Sequence, residues 1–138
     1  MIPKRRFEYA VDLDAEWTAT SDRGGDPLPA DDRAWTPEHL LLASLCRCTL
    51  TSLRHHADKA GVSVASQGRA HGTVARRAED GRYAFVELGV ELGVALDPLP
   101  PPESITELLA KAERDCFVGA SLRQPPVYTW RVNGETVA

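Results

Sequence analysis

Apolar residues first return along the chain at every second position. Phe7, Tyr9, Val11 and Leu13 share one parity, Ala15, Trp17 and Ala19 continue it, and Glu8, Asp12, Asp14 and Glu16 take the other. A period of two is that of half-buried strands, so residues 5–20 are predicted as extended chain. Gly24, Gly25, Asp26, Pro27, Pro29, Asp31 and Asp32 then break the pattern, and 21–36 reads as a loop with room for one short strand. It is the longest irregular stretch, and long loops in compact domains are often functional.

Thr36-Pro37-Glu38 opens a helix. Threonine caps, proline suits the first helical position, and the glutamate favours the positive end of the helix dipole. The helix is expected to run to Lys59 or Ala60 and to stop at Gly61. Leu41, Leu42, Leu45, Cys46, Thr49, Leu50 and Leu53 surround much of its circumference, which predicts a central helix covered on several sides.

Residues 62–77 and 83–96 read as two long strands joined at Glu79-Asp80-Gly81-Arg82, because Asp-Gly between extended runs signals a hairpin. In the second arm Val86, Leu88, Val90, Leu92, Val94 and Leu96 alternate strictly with Glu87, Gly89, Glu91, Gly93 and Ala95. Gly68 and Gly72 in the first arm predict a bend or bulge. Pro98, Pro100, Pro101 and Pro102 form a stiff connector into a helix from Pro102 to about Asp115, with Ile105, Leu108, Leu109 and Ala112 as its apolar stripe. Cys116 extends that stripe if the helix persists. A helical turn at 117–122 and a strand at 127–132 ending near Asn133-Gly134 complete an α+β order of strands, helix, strands, helix, strand.

Composition narrows the field. The 138 residues fit one domain, 1–138. Sixteen Lys+Arg against 20 Asp+Glu give a net charge of −4, which argues against nucleic acid or an anionic membrane as the main partner. No apolar run approaches the roughly 20 residues that span a bilayer. The basic start, Met1 to Tyr9, has no apolar stretch behind it, so no signal peptide is expected and the expected setting is cytoplasmic. Three cysteines are too few for a disulfide scaffold.

Those cysteines are the first candidates for chemistry. Cys46 and Cys48 lie two apart on a helix and so point about 200° from one another. They cannot share a disulfide there, and only Cys116 is left to pair with either. The competing reading is that all three are small buried apolar groups. A metal site is disfavoured, because Cys48 and His55 share a face but stand roughly 10 Å apart along the axis. His55 and His56 are explained by the negative pole of the helix. No Gly-x-Ser-x-Gly and no phosphate-binding glycine loop is present.

The segment from Thr36-Pro37-Glu38 through Leu40-Leu41-Leu42-Ala43-Ser44-Leu45 to Cys48 resembles the signature of the OsmC/Ohr family: Pro-Glu, a leucine-rich run, and a cysteine ten residues after the glutamate. Ala112 to Cys116 matches a second family cysteine, set near the end of a later helix, and the order of elements agrees over nearly the whole chain. The resemblance implies an OsmC-like, strand-swapped homodimer with antiparallel-rich sheets packed around long central helices, and active sites at the subunit interface. It implies reduction of organic hydroperoxides or hydrogen peroxide, with Cys48 attacking, Cys116 resolving, and Glu38 orienting an arginine. Arg33 and Arg23 are the candidates for that arginine, Arg33 being the nearer to the helix. Cys46 departs from the pattern, in which a small residue is usual. No cofactor is implied beyond an external thiol or dithiol reductant.

Elementary chemistry sets conditions on this reading. A thiol of pKa about 8.5 is only a few per cent thiolate at pH 7, and a shift to about 6 would raise that share near 30-fold. Breaking the O–O bond also calls for a cation. Cys48 lies about three turns inside its helix, so the dipole helps little. Glu38 is about 15 Å away along the same axis, which points to a second copy as the source of Glu38 and Arg33. Leu41, Leu45, Phe117 and Trp35 would line the site and favour an organic peroxide. Core or dimer packing accounts equally for Trp35 and Phe117, and helix-end charge or a solvated loop accounts for Glu38 and Arg33. The alternatives to an enzyme are a non-catalytic dimer of this fold binding a small apolar ligand, and a thiol redox sensor.

Overall fold

The computed structural model describes residues 5–31 and 33–137. The chain divides into two compact units, Met1–His39 and Leu40–Ala138. In the first, the alternating stretch forms only two short paired strands, β1 (Val11–Leu13) and β2 (Ala19–Ser21). The predicted extended run is cut at Asp14. Its carboxylate accepts from the backbone N–H of Glu16 at 2.8 Å and of Thr18 at 3.0 Å, and Trp17 takes a left-handed φ of 66°. Local side-chain-to-backbone bonds of this kind favour turns over strands. Leu28 makes a bridge to Ala19, the one trace of a strand among the described residues of the loop after β2.

Helix α1 (Pro37–Lys59) begins and ends where the sequence places it. Thr36 Oγ1 accepts from the His39 N–H at 3.2 Å, and Gly61 follows the last turn at φ 72°. The expectation that α1 is covered on several sides is not met by one chain. Leu45, Thr49, Ser52, Leu53 and Ala57 are buried at helical spacing, whereas Leu41, Leu42 and Leu50 are half-buried.

The second unit is a four-stranded sheet in the order β3 (Ser63–Arg76), β4 (Tyr83–Asp97), β5 (Val127–Val132), β6 (Glu135–Val137). The long β3–β4 hairpin turns at Gly81, φ 69°. Its register slips between Thr73 and Val74, so the irregularity falls beside Gly72 and not at Gly68. Both glycines serve close packing instead: a Cβ on Gly68 would stand 2.7 Å from Cys46 Sγ, and one on Gly72 2.8 Å from the Phe85 ring. β5 runs parallel to β4, reached through helix α2 (Pro102–Arg114) and the short helix α3 (Phe117–Ser121). Asn133-Gly134, expected to end the chain's last strand, is a hairpin turn into β6. Both residues have positive φ, and the Asn133 amide bonds the Leu96 N–H and C=O.

Val90, Leu92, Val94 and Leu96 of β4 meet Leu45 and Leu53 of α1, Leu108, Leu109 and Ala112 of α2, and Trp130 and Val132 of β5 in one core. Trp130 satisfies its indole N–H on Glu113 at 2.9 Å. His56 near the end of α1 bonds Asp115 just beyond α2 at 2.7 Å, so the imidazole ties two helix ends together in addition to suiting a helix pole. Among the described residues no helix is long and apolar enough to cross a membrane.

Candidate active site

The two cysteines of α1 face different neighbours, as their angular separation requires. Cys46 turns toward β3, where Gly68 leaves space for its sulfur. Cys48 turns toward the start of α3. The Cys116 sulfur and the backbone N–H groups of Phe117 and Val118 lie near enough to act on its thiol. All three cysteines are free thiols.

Cys116 gets there because α2 stops. The predicted continuation of the α2 stripe through Cys116 ends at the Asp115 cap, the chain turns, and Cys116 becomes the capping residue of α3, accepting from the Gly119 N–H at 3.3 Å. Its side chain is wholly buried. Thr49 Oγ1 lies 3.4 Å from the same sulfur and 3.4 Å from Tyr128 Oη on β5. The Thr49 hydroxyl also reaches the Leu45 carbonyl one turn back, at 3.0 Å.

Burial pushes the Cys48 thiol above its ordinary value. The neighbouring Cys116 sulfur adds to that, and the two backbone N–H groups oppose it. Burial also raises the Cys46 thiol. No cationic side chain of the 40–137 unit is among the influences on Cys48. Of the basic neighbours in sequence, Arg47 and Arg54 are exposed.

The structure thus brings Cys48 and Cys116 together. Arg33 and Glu38 belong to the other unit and both are exposed. Arg33 follows the turn at Asp31, whose carboxylate accepts its N–H at 3.2 Å, and Glu38 stands in the first turn of α1. Arg23 lies over the Tyr9 ring at 4.9 Å, a cation–π contact that occupies its guanidinium. Of the expected lining residues, Leu45 is fully buried and belongs to the core, Leu41 is half-buried, and Phe117 and Trp35 are exposed. Four open hollows of 430 to 660 Å³ lie over the outer face of the sheet and at the Pro98–Pro101 connector, and neither Cys48 nor Cys116 lines them. No group of His, Cys, Asp and Glu among the described residues could hold a metal ion.

Sequence reasoning missed Thr49, Gly119 and Tyr128. Thr49 reads as a mid-helix residue and Tyr128 as one of an alternating strand, and neither carries a motif. The available signal was a buried-face hydroxyl directly after a candidate nucleophile.

The same arrangement of elements recurs in solved structures. An OsmC-like protein of unknown function from Vibrio cholerae superimposes with a TM-score of 0.73 at 16% identity, over 91% of this chain and 99% of that one. The organic hydroperoxide resistance protein OhrB of Bacillus subtilis does so with a TM-score of 0.57 at 20% identity, over 91% and 96%. An organic hydroperoxide resistance protein OsmC from Legionella pneumophila gives 0.63 at 20% identity, over 94% and 98%. At such identities the likeness is one of fold. The family profile described as OsmC-like protein matches residues 30–131, and the chain belongs to that family. No curated protein matches it.

Proposed function

We propose that the chain is a thiol-dependent peroxidase that reduces organic hydroperoxides, or hydrogen peroxide, in an oxidative-stress role. The observation that carries this reading is the nearness of the Cys48 thiol to the buried Cys116 sulfur, which acts on it. Two free thiols near one another, from elements far apart in sequence, support a cycle of sulfenic acid formation and resolution. The Cys48 thiolate attacks one peroxide oxygen. The O–O bond breaks, the alkoxide (hydroxide from hydrogen peroxide) leaves and takes a proton from solvent to become alcohol or water, and Cys48 becomes a sulfenic acid. Cys116 then attacks the Cys48 sulfur, the S–S bond forms, and the sulfenic oxygen departs as water. An external dithiol returns both sulfurs to thiols.

A raised thiol is the wrong starting state for this reaction, so a cation must be brought to Cys48. We assign that role to a homodimer in which a second copy supplies Arg33, held by Glu38. The exposed apolar positions Tyr9, Val11, Leu13 and Trp17 and the half-buried leucines of α1 support a second copy as their cover. The raised thiol also favours the second reading, in which the dimer is a slow redox sensor or binds an apolar ligand with its thiols inert.

Decay of cumene hydroperoxide and of hydrogen peroxide, with a dithiol reductant, separates these readings. Turnover is expected to vanish in Cys48→Ser, to fall steeply in Cys116→Ser, and to persist in Cys46→Ser. Turnover that survives Cys48→Ser would remove the peroxidase reading, and loss only in Cys46→Ser would reassign the nucleophile. Arg33→Ala should cost about 100-fold or more if its guanidinium meets the breaking peroxide bond.

A further inference from the structure

Cys116 is served by two donors and backed by a third group. Gly119 N–H and Thr49 Oγ1 reach its sulfur at 3.3 and 3.4 Å, and Tyr128 Oη reaches Thr49 Oγ1 at 3.4 Å. A threonine hydroxyl carries one proton and two lone pairs, so it cannot give its proton to both Leu45 C=O and Cys116. While Cys116 is a neutral thiol, the shorter bond to the Leu45 carbonyl at 3.0 Å is the better use of that proton. Once charge gathers on the sulfur, a charge-assisted bond is the stronger one, and the proton swings to Cys116. Tyr128 O–H then donates into the lone pair of Thr49. Burial raises the Tyr128 phenol above its ordinary value and so keeps it a donor.

The surroundings hold these groups in line. Thr49 is fully buried on α1, and Tyr128 stacks on Trp130 with ring centroids 6.4 Å apart. Gly119 leaves room for them: a Cβ there would stand 3.2 Å from Tyr128 Oη and 3.4 Å from Cys116 Sγ. The titratable groups facing Cys116 are Cys48 on α1 and Tyr128 on β5, with Glu113 of α2 acting on Tyr128.

We propose that Thr49 and Tyr128 form a hydroxyl relay that positions Cys116 and supports its developing thiolate while it closes the disulfide with Cys48. Both are positioning residues. The proposal rests on the peroxidase reading for its place in the cycle, but not for its chemistry. In closure the Cys116 S–H bond breaks, the S–S bond forms, the Cys48 S–O bond breaks, and the thiol proton leaves with that oxygen as water. The relay lowers the cost of negative charge on Cys116 before that proton is taken up, and itself gains or loses none.

The test uses the full chain carrying Cys46→Ser, given one equivalent of cumene hydroperoxide. Sulfenic acid at Cys48 is trapped with dimedone, and the disulfide is followed by quenched mass spectrometry. Thr49→Val should slow closure about tenfold and move its pH profile upward, with Cys48 oxidation unchanged within about twofold. Thr49→Ser should restore closure, and Tyr128→Phe should slow it about threefold in the same direction. Closure in Thr49→Val at the original rate and pH profile overturns the proposal. So does a parallel loss of oxidation and closure together with a lowered melting temperature, which marks a packing role. If the parent chain forms no sulfenic acid, the peroxidase reading fails by itself. The relay is then judged in Cys46→Ser/Cys48→Ser by the ultraviolet absorbance of the Cys116 thiolate. Thr49→Val should move that titration to higher pH, and an unmoved titration overturns the proposal.

Discussion

Two stretches with the same alternating pattern meet opposite fates. Val11 and Leu13 on β1 are 64% and 65% exposed, while Val90 and Leu92 on β4 are 0% and 2% exposed. Both read as half-buried strands, and β4 has the helices of its own unit laid over its apolar face. The polar groups differ in the same way. In the 5–39 unit the side-chain hydrogen bonds are local: Asp14 to Glu16 and Thr18, Ser21 to Arg23, Asp31 to Arg33 and Ala34, Thr36 to His39. In the 40–137 unit several join elements distant in sequence, such as Thr49 to Cys116, His56 to Asp115, Trp130 to Glu113 and Asn133 to Leu96. One region closes its own accounts with its neighbours in sequence, and the other through tertiary contacts. The lesson is that alternation specifies an apolar face but not what covers it.

The largest effect that could break this comparison lies in the core. Leu92→Ala should cost about 2–5 kcal/mol of unfolding free energy, the usual range for a buried leucine. Leu13→Ala should change the stability of dilute protein by no more than about 0.5 kcal/mol, as exposed substitutions do. In the proposed homodimer the same change should weaken association, and so lower stability at high concentration, since association stabilises folded subunits by mass action. Chemical denaturation at two protein concentrations measures both, and equal costs for the two leucines in dilute protein would end the distinction.

A middle-sized effect probes the ties between helix ends. The Asp115 carboxyl is held well below the usual carboxylate range, by the Arg114 guanidinium first and by His56 as well. A carboxylate depressed in the folded state adds stability that is full above its unfolded value of about 3.9 and is lost as pH falls through the folded one. Asp115→Asn should therefore lower the melting temperature at pH 7, and the gap to the parent protein should close as the pH drops below about 4. A gap that does not depend on pH would mean the tie is one of shape and not of charge.

The smallest effect sharpens the contrast in polar groups. Ser52, on the buried face of α1, carries the buried side-chain oxygen that finds no hydrogen-bond partner among the described residues. Removing an unpaired buried hydroxyl is neutral or favourable, so Ser52→Ala should leave stability unchanged or raise it by up to about 1 kcal/mol. A loss of stability of about 1 kcal/mol or more would show that the hydroxyl has a partner inside the folded chain, such as a carbonyl one turn back on α1.

Much of the fold is legible because it rests on local signals. Thr36, Pro37 and Gly61 mark both ends of α1, the Asp80-Gly81 turn sets the long hairpin, and the alternation from Leu88 to Leu96 marks its buried face. Such signals act within a few residues, through caps, dihedral preferences and side-chain period. The Pro-Glu signature and the two matched cysteines were legible too, as a pattern.

The rest was decided in one place by a local side-chain bond that overrides the alternation, and elsewhere only by tertiary structure. Residues 5–20 look like one extended run, but Asp14 bonds the backbone ahead of it and folds the run into a turn. α2 ends at Arg114, two residues before Cys116, so that sulfur caps α3 beside Cys48 and does not extend a stripe. The meeting of Cys48, Thr49, Cys116 and Tyr128 includes a Thr49–Tyr128 bond between residues 79 positions apart, and no short-range preference encodes such a distance. Periodicity tells each element which side to bury. Which sulfur then faces which hydroxyl follows only when the helices and sheet pack into the densest core their side chains allow.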